Sequence, residues 1–315
     1  MSKTVALCLG SGGARGYTHM GVIEALEERG YQIVAVSGCS IGALVGGFYC
    51  AGKLNEYRAW VEKLKYLDVL KLLDISLLSS GMIRGDKIFN IIEDMLGDTA
   101  IENLALPFTA VATDLTQQKE IWFQDGLLSQ AIRASAAIPG MFSPVEIQGR
   151  VMVDGAVLNP LPITPCVSAH ADLIIAVDLS SDVPNLPDLV KIVAQAEYQE
   201  KKDAEWLNRV VGKTQHWLEE RGLAKIRKEE EEQEAKAQLG KLGVLNRVVE
   251  LMSASLTQYK IAGYPPDLLI KVPRDCCDTY EFYRAAEMIH LGKRVADLAL
   301  DAFEQGYSSL YGQRP

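Results

Sequence analysis

Short apolar runs alternate with helical periodicity from the start of the chain to about residue 180. Val5–Leu9 is a five-residue apolar run closed by glycine, which predicts a strand. A glycine-rich turn follows, then a helix over about Tyr17–Arg29. Ile33–Val36 predicts a second strand, which runs into Ser37-Gly38-Cys39-Ser40-Ile41-Gly42 and an apolar helix, Ala43–Cys50. Further strands are expected at Phe108–Ala112, Ile121–Phe123 and Leu173–Val177, and Val145–Ile147 with Val151–Val153 predicts a hairpin around Gln148-Gly149-Arg150. Strands interleaved with helices predict a layered α/β fold of three layers.

The stretch 186–240 differs in character. Leu189, Ile192, Val193 and Ala196 mark one helical face, and Trp206, Leu207, Val210 and Val211 resume it beyond a polar interval. A charge run beginning at Arg227 then reads as a solvated helix or connector. A helical insertion packed on its own stripe is the simpler expectation. A lid bringing Trp206 and Trp217 to a lipid interface is the sharper one. After it, Leu245–Ile261 is helical by pattern, Pro265-Pro266 break it, and a strand (Leu268–Val272) and a closing helix (about Tyr280–Phe303) follow. The expected organisation is a core over 1–185, the charged insertion over 186–240, and a helix-strand-helix over 241–315 completing the same domain.

With 315 residues, 48% of them hydrophobic and 23% charged, a substantial core can form. The net charge of −9 argues against nucleic acid and against tight docking on anionic lipid, since both need concentrated Lys and Arg. A neutral lipid-like substrate stays compatible. Cys8, Cys39, Cys50, Cys166, Cys276 and Cys277 lack metal spacing and sit mostly in apolar runs, so buried free thiols are expected. The first apolar run is too short for a signal peptide or a membrane span, which points to reducing cytosol.

Two glycine-rich turns carry the candidate chemistry. In Gly38-Cys39-Ser40-Ile41-Gly42, glycines two positions either side of a serine relieve the close contacts of a strand-to-helix bend. Such a bend holds the hydroxyl clear of the backbone at a helix's positive end, as a nucleophile needs. The second turn runs from Gly10 to Gly16. A dinucleotide fingerprint fails there because Arg15 stands where a third glycine belongs, and the Gly-Lys-Ser/Thr of a phosphate loop is absent. An oxyanion hole beside Ser40 is the one reading that uses both turns.

A base is harder to find. His19, His170, His216 and His290 lack the setting of a catalytic histidine and are expected to be structural, with His19 close enough to support the glycine loop. Asp114, Asp154 and Asp178 each follow an apolar strand, and spacing does not choose among them. A carboxylate serves as base only when partly desolvated and within reach of the serine.

Gly12-Gly13-Ala14-Arg15-Gly16, Gly38-Cys39-Ser40-Ile41-Gly42 and Asp154-Gly155-Ala156, in that order, resemble the patatin-like phospholipases, particularly their small bacterial members. Ala112-Thr113-Asp114 and Ser135-Ala136-Ala137-Ile138-Pro139-Gly140 are familial too, and the resemblance runs through Asp178, with a weaker stretch from about Leu245 to Leu300. It implies an α/β/α sandwich around a mixed, mainly parallel sheet, and hydrolysis of acyl esters in phospholipids, lysophospholipids or related lipids. It also implies Ser40 as nucleophile, Asp154 as base, and the amides of Gly12, Gly13 and Ala14 as oxyanion hole. Arg15 would brace the loop or meet an anionic headgroup, with Gly16, Gly38, Gly42 and Gly155 in support. No metal or other cofactor is implied. Ser11, where many members have glycine, is a departure. The competing expectation is a regulatory protein on the same scaffold, meeting a protein partner through 186–240. Transient contact with a membrane surface fits either; the oligomeric state is left open.

Overall fold

The computed structural model describes residues 3–72, 85–183, 244 and 247–306. Strand β1 (Thr4–Leu9) leads through a short 3-10 turn, Gly13–Tyr17, into helix α1 (Thr18–Glu28). Strand β2 (Gln32–Cys39) and helix α2 (Ile41–Cys50) flank Ser40. Helices α3 (Leu54–Val61), α4 (Tyr66–Leu72) and α5 (Asp86–Leu96) precede β3 (Phe108–Asp114), β4 (Lys119–Phe123) and α6 (Leu128–Ser135). The hairpin β5 (Val145–Ile147) and β6 (Arg150–Asp154), the short α7 (Thr164–Val167) and β7 (Leu173–Ser181) follow. Helix α8 covers 247–263, and β8 (Leu268–Pro273) and α9 (Ala285–Glu304) close the described chain.

The eight strands form one sheet in the order β5-β6-β3-β2-β1-β7-β8, with β4 also paired to β3. The run β3-β2-β1-β7-β8 is parallel, whereas β4, β5 and β6 are antiparallel additions beside β3. Helices cover both faces, and alternation along the strands explains how. Val5, Leu7 and Leu9 of β1, Ile175 and Val177 of β7 and Ile270 of β8 enter the main core with α1, α2 and α9. Their neighbours Ala6, Cys8, Ala176 and Leu269 face the other way, against Leu161, Ile163, Cys166 and, from α8, Ile261. Large side chains thus meet α1, α2 and α9 on one face, and mostly smaller ones let Leu161–Ile163, α7 and α8 lie close on the other.

Helices α1 and α9 cross through glycine. A Cβ on Gly21 would lie 2.0 Å from Ile289 O, and one on Gly292 would lie 2.0 Å from Thr18 O. Ion pairs flank the crossing, from Lys293 to Glu24 and Glu28, and from Arg29 to Asp297, Asp301 and Glu304.

The predicted strands are all present, Val145–Ile147 with the expected bounds and the others longer. β2 continues through Ser37, Gly38 and Cys39 because β1 pairs with it as far as Gly38 and β3 as far as Cys39, a reason invisible to hydrophobic periodicity. Gln148 and Gly149 both have positive φ (52° and 72°) and make the two-residue turn of the expected hairpin. Asp178 does not end its strand, since β7 runs on to Ser181. Helices α3 to α7 were not anticipated by periodicity. The charged stretch 186–240, with its lid and partner-surface readings, lies outside the described residues.

Candidate active site

Ser40 sits on the bend between β2 and α2 with φ 56° and ψ −122°, a conformation that costs a residue with a side chain of order 1–3 kcal/mol. The surroundings hold it there. A Cβ on Gly38 would lie 2.4 Å from Gly42 O, and one on Gly42 would lie 2.2 Å from Leu9 O, so both positions exclude any larger residue. The Ser40 amide donates to Ser135 Oγ (2.8 Å), which itself donates to Val111 O (2.6 Å). The opening amides of α2 have no intrahelical acceptor and lie directly after the serine, so the helix brings its positive end to the site.

The Ser40 hydroxyl donates to Asp154 Oδ2 at 2.5 Å. Both residues are buried, at 5% and 3% exposure, which keeps bulk water from separating them. Asp154 ends β6, and its other oxygen accepts from the Ala156 amide (2.8 Å). Gly155 permits this approach, because a Cβ there would lie 2.2 Å from Val111 O and 2.9 Å from Cys39 Sγ. Burial pushes the Asp154 carboxyl up to about 6, against the opposing pull of hydrogen bonds from Ser40 and Ala156.

The other two carboxylates are engaged elsewhere. Asp114 accepts from the Gln117 amide (2.9 Å) and faces Arg150 at 3.8 Å. Asp178 accepts from the Ser180 amide and from the hydroxyls of Ser180 and Ser181. Of the three carboxylates, only Asp154 touches Ser40.

The glycine loop follows the carboxyl end of β1, next to the end of β2. Its entry is tied down by Gly10 N to Val177 O (3.1 Å) and Ser11 N to Pro160 O (2.9 Å). His19, fully buried, contacts Gly10 O through Nε2 at 2.8 Å, and burial lowers its pKa to about 4, so it is a neutral prop. Gly12 and Gly13 line the same cavity as Ser40, and their amides have no protein acceptor among the described residues. Ala14 is different. Its amide donates to Thr279 O at 2.9 Å, so it is spent on the scaffold and is not available to an oxyanion in this conformation. Arg15 braces the loop, donating to Arg274 O (2.9 Å) and Cys277 O (3.2 Å) and pairing with Glu250 (3.3 Å). Gly16 leaves room for Ile41, whose side chain would lie 2.1 Å from a Cβ there.

These elements enclose a cavity of about 390 Å³. Its walls are apolar at Ile138, Pro139, Val157 and Leu251, and carry charges of both signs, at Arg247 and Arg274 and at Asp275 and Asp278. It opens at the carboxyl ends of β1, β2 and β7, where the strand order turns back on either side of β1, the usual ligand position in open parallel sheets. All six cysteines are buried and free. Among the described residues no group of three or more His, Cys, Asp or Glu is placed to hold a metal ion, and no helix is long and apolar enough to cross a membrane.

Ser135, Ser253, Glu250 and Thr279 take part in the site without having been singled out individually. Ser135 had a signal in the 135–140 phrase; the others are remote in the chain and follow no motif.

Fold and site together place the chain among three-layer α/β proteins built around a serine elbow. Comparison with known proteins narrows this. Residues 7–167 match the model of the family described as patatin-like phospholipase. The chain is 40% identical to an uncharacterized NTE family protein of Mycobacterium tuberculosis, over 96% of this chain and 93% of that one. It is 34% identical to patatin-like phospholipase domain-containing protein 6 of Homo sapiens, over 57% of this chain and 14% of that protein. It is 33% identical to the neuropathy target esterase sws of Drosophila melanogaster, over 57% of this chain and 13% of the relative. Among solved structures, VipD from Legionella pneumophila shares the fold, with a TM-score of 0.52 at 16% identity over 95% of this chain and 67% of that one. The chain belongs to the patatin-like phospholipase family.

Proposed function

We propose that this protein is a serine hydrolase cleaving acyl esters of phospholipids, lysophospholipids or related lipids, with Ser40 as nucleophile and Asp154 as its base. The observation that carries this reading is the 2.5 Å contact from the Ser40 hydroxyl to a buried carboxylate, in the same cavity as the Gly12 and Gly13 amides. Family membership and the names of the relatives, phospholipase and esterase, support the substrate class. So does a cavity with both apolar and charged walls, which suits an amphiphile.

The chemistry follows from the geometry. Ionised Asp154 accepts the Ser40 proton as Oγ bonds to the ester carbonyl carbon. The carbonyl electron pair moves onto oxygen, where the Gly12 and Gly13 amides and the opening turn of α2 stabilise it. As the intermediate collapses, the ester C–O bond breaks and the departing alkoxide takes the proton from Asp154. A water then attacks the acyl-serine, giving its proton to Asp154, and the second collapse returns that proton to Ser40 Oγ and releases the fatty acid. Desolvation matters because a carboxylate at the ordinary value of about 3.9 would be a feeble base. A carboxyl near 6 is a stronger base that remains ionised at neutral pH.

The test is hydrolysis of p-nitrophenyl esters of several chain lengths, together with fluorophosphonate labelling and peptide mapping of the adduct. Ser40→Ala is expected to lose turnover by about 1,000-fold or more and to lose the label. Equal rates in wild type and variant, or an adduct on another residue, would remove Ser40 from the mechanism.

A further inference from the structure

Helix α8 lies far beyond the family's motifs in the chain, yet it touches both halves of the site. Ser253 Oγ donates to Ala156 O at 3.1 Å, and the Ala156 amide is the one that holds Asp154 Oδ1. One turn earlier, Glu250 meets the glycine loop by two routes. It pairs with Arg15 at 3.3 Å, and it accepts a hydrogen bond from the Thr279 hydroxyl. Thr279 in turn shapes the loop directly. Its carbonyl accepts from the Ala14 amide, and it lies so close to Gly13 (φ 58°) that a Cβ there would be 2.4 Å from that carbonyl. The path from Glu250 to the Gly12–Gly13 amides is therefore one side chain long by either route.

We infer that Glu250 is a positioning residue for the oxyanion-binding amides, acting through Thr279 and Arg15 and coupling α8 to the reacting centre. The inference rests on the hydrolase reading above and adds a residue to it. Glu250 is well suited to the task in electrostatic terms. Burial alone would raise its carboxyl, yet Thr279, Arg15 and Arg247 together hold it below the usual range, so it is ionised at neutral pH. Arg15 is buried and its Nε has no partner among the described residues, so loss of the Glu250 charge would leave the guanidinium held only by carbonyls. A loop freed on that side need shift only slightly, because misplacing catalytic groups by about 1 Å can cost on the order of 100-fold in rate.

The experiment measures kcat and KM on a short p-nitrophenyl ester, and the fluorophosphonate labelling rate, for the full-length wild type, Glu250→Ala, Glu250→Gln and Thr279→Val. Glu250→Ala is expected to lower kcat by about 10–100-fold while KM stays within about threefold, with the labelling rate falling in parallel. Glu250→Gln keeps an acceptor for Thr279 but not the charge that pairs with Arg15, and should recover only part of the loss. Thr279→Val keeps the carbonyl that binds Ala14 but loses the hydroxyl, and should show an intermediate loss of kcat. It also carries the test should Glu250→Ala fail to fold. Wild-type kcat in Glu250→Ala or, where that variant does not fold, in Thr279→Val overturns the inference, as does a change confined to KM. A wild type that neither turns over nor takes the label overturns the hydrolase reading and this one with it.

Discussion

Asp154 is held in an environment that suits its proposed role as base better than the stability of the fold. In the unfolded chain its carboxyl titrates near 3.9; in the fold, burial pushes it up to about 6. Between those values the native state holds more protons than the unfolded one, so this group's contribution to stability falls as pH rises from about 4 to 6 and stays lost above. The shift corresponds to roughly 3 kcal/mol. Asp154→Asn keeps the shape and a hydrogen-bonding group for each neighbour while removing the charge. It is expected to abolish turnover and yet raise Tm above pH 7, with the gain vanishing toward pH 4. For the wild type, kcat/KM should climb about tenfold per pH unit below 6 and level off above it. A Tm for Asp154→Asn at or below wild type at pH 8 would contradict the picture, as would a flat pH–rate profile between 5 and 7. At the neighbouring position, the positive φ of Ser40 is a strain that Ser135 helps to hold in place through the serine amide.

Glycines decide how closely the elements approach, and they do so unequally. Gly21 and Gly292 let α1 and α9 meet backbone to backbone, with contacts of 2.0 Å to any added Cβ, whereas Gly263 at the end of α8 has nothing within 4 Å. Gly292→Ala must therefore push two helices apart, and a loss of about 1–3 kcal/mol or more is expected as a lower denaturation midpoint. Gly263→Ala should be neutral or slightly stabilising, since alanine is the better helix former. Equal midpoints for the two variants would mean that the crossing is looser than its geometry implies. The strands were found well because most are short apolar runs bounded by polar or turn residues. Periodicity missed α3 to α7: α3, α4 and α7 are short, whereas α5 and α6 do carry apolar stripes, at Phe89, Ile92 and Leu96 and at Leu128, Ala131 and Ile132. Of the site's parts, the serine bend was fully legible, since the glycines at 38 and 42 answer to contacts within a few residues and to the adjoining β1.

Elements beyond the family's matching region, 7–167, pair with and cover elements inside it. The later strand β8 pairs with β7, α9 covers α1, and α8 together with the 274–279 segment braces the glycine loop. We take 241–315 as completing the same domain as 1–185. A chain ending at residue 183 would expose the β7 edge and the apolar face of α1, and would strip Arg15 of its three partners. It is expected to yield no soluble monomer by gel filtration and no fluorophosphonate adduct. A folded, labelled monomer of that shortened chain would show that the C-terminal portion is an accessory.

The sequence by itself determined the alternating elements, the bend at Ser40 and the glycine-rich loop, because these depend on local sterics and on side-chain period. Three things were decided only by tertiary structure: Asp154 as partner over Asp114 and Asp178, the diversion of the Ala14 amide to Thr279, and the reach of Glu250 back to Arg15. Each joins residues far apart in the chain. Such pairings depend on strand order and on which strand ends share a side of the sheet, and no local pattern encodes that.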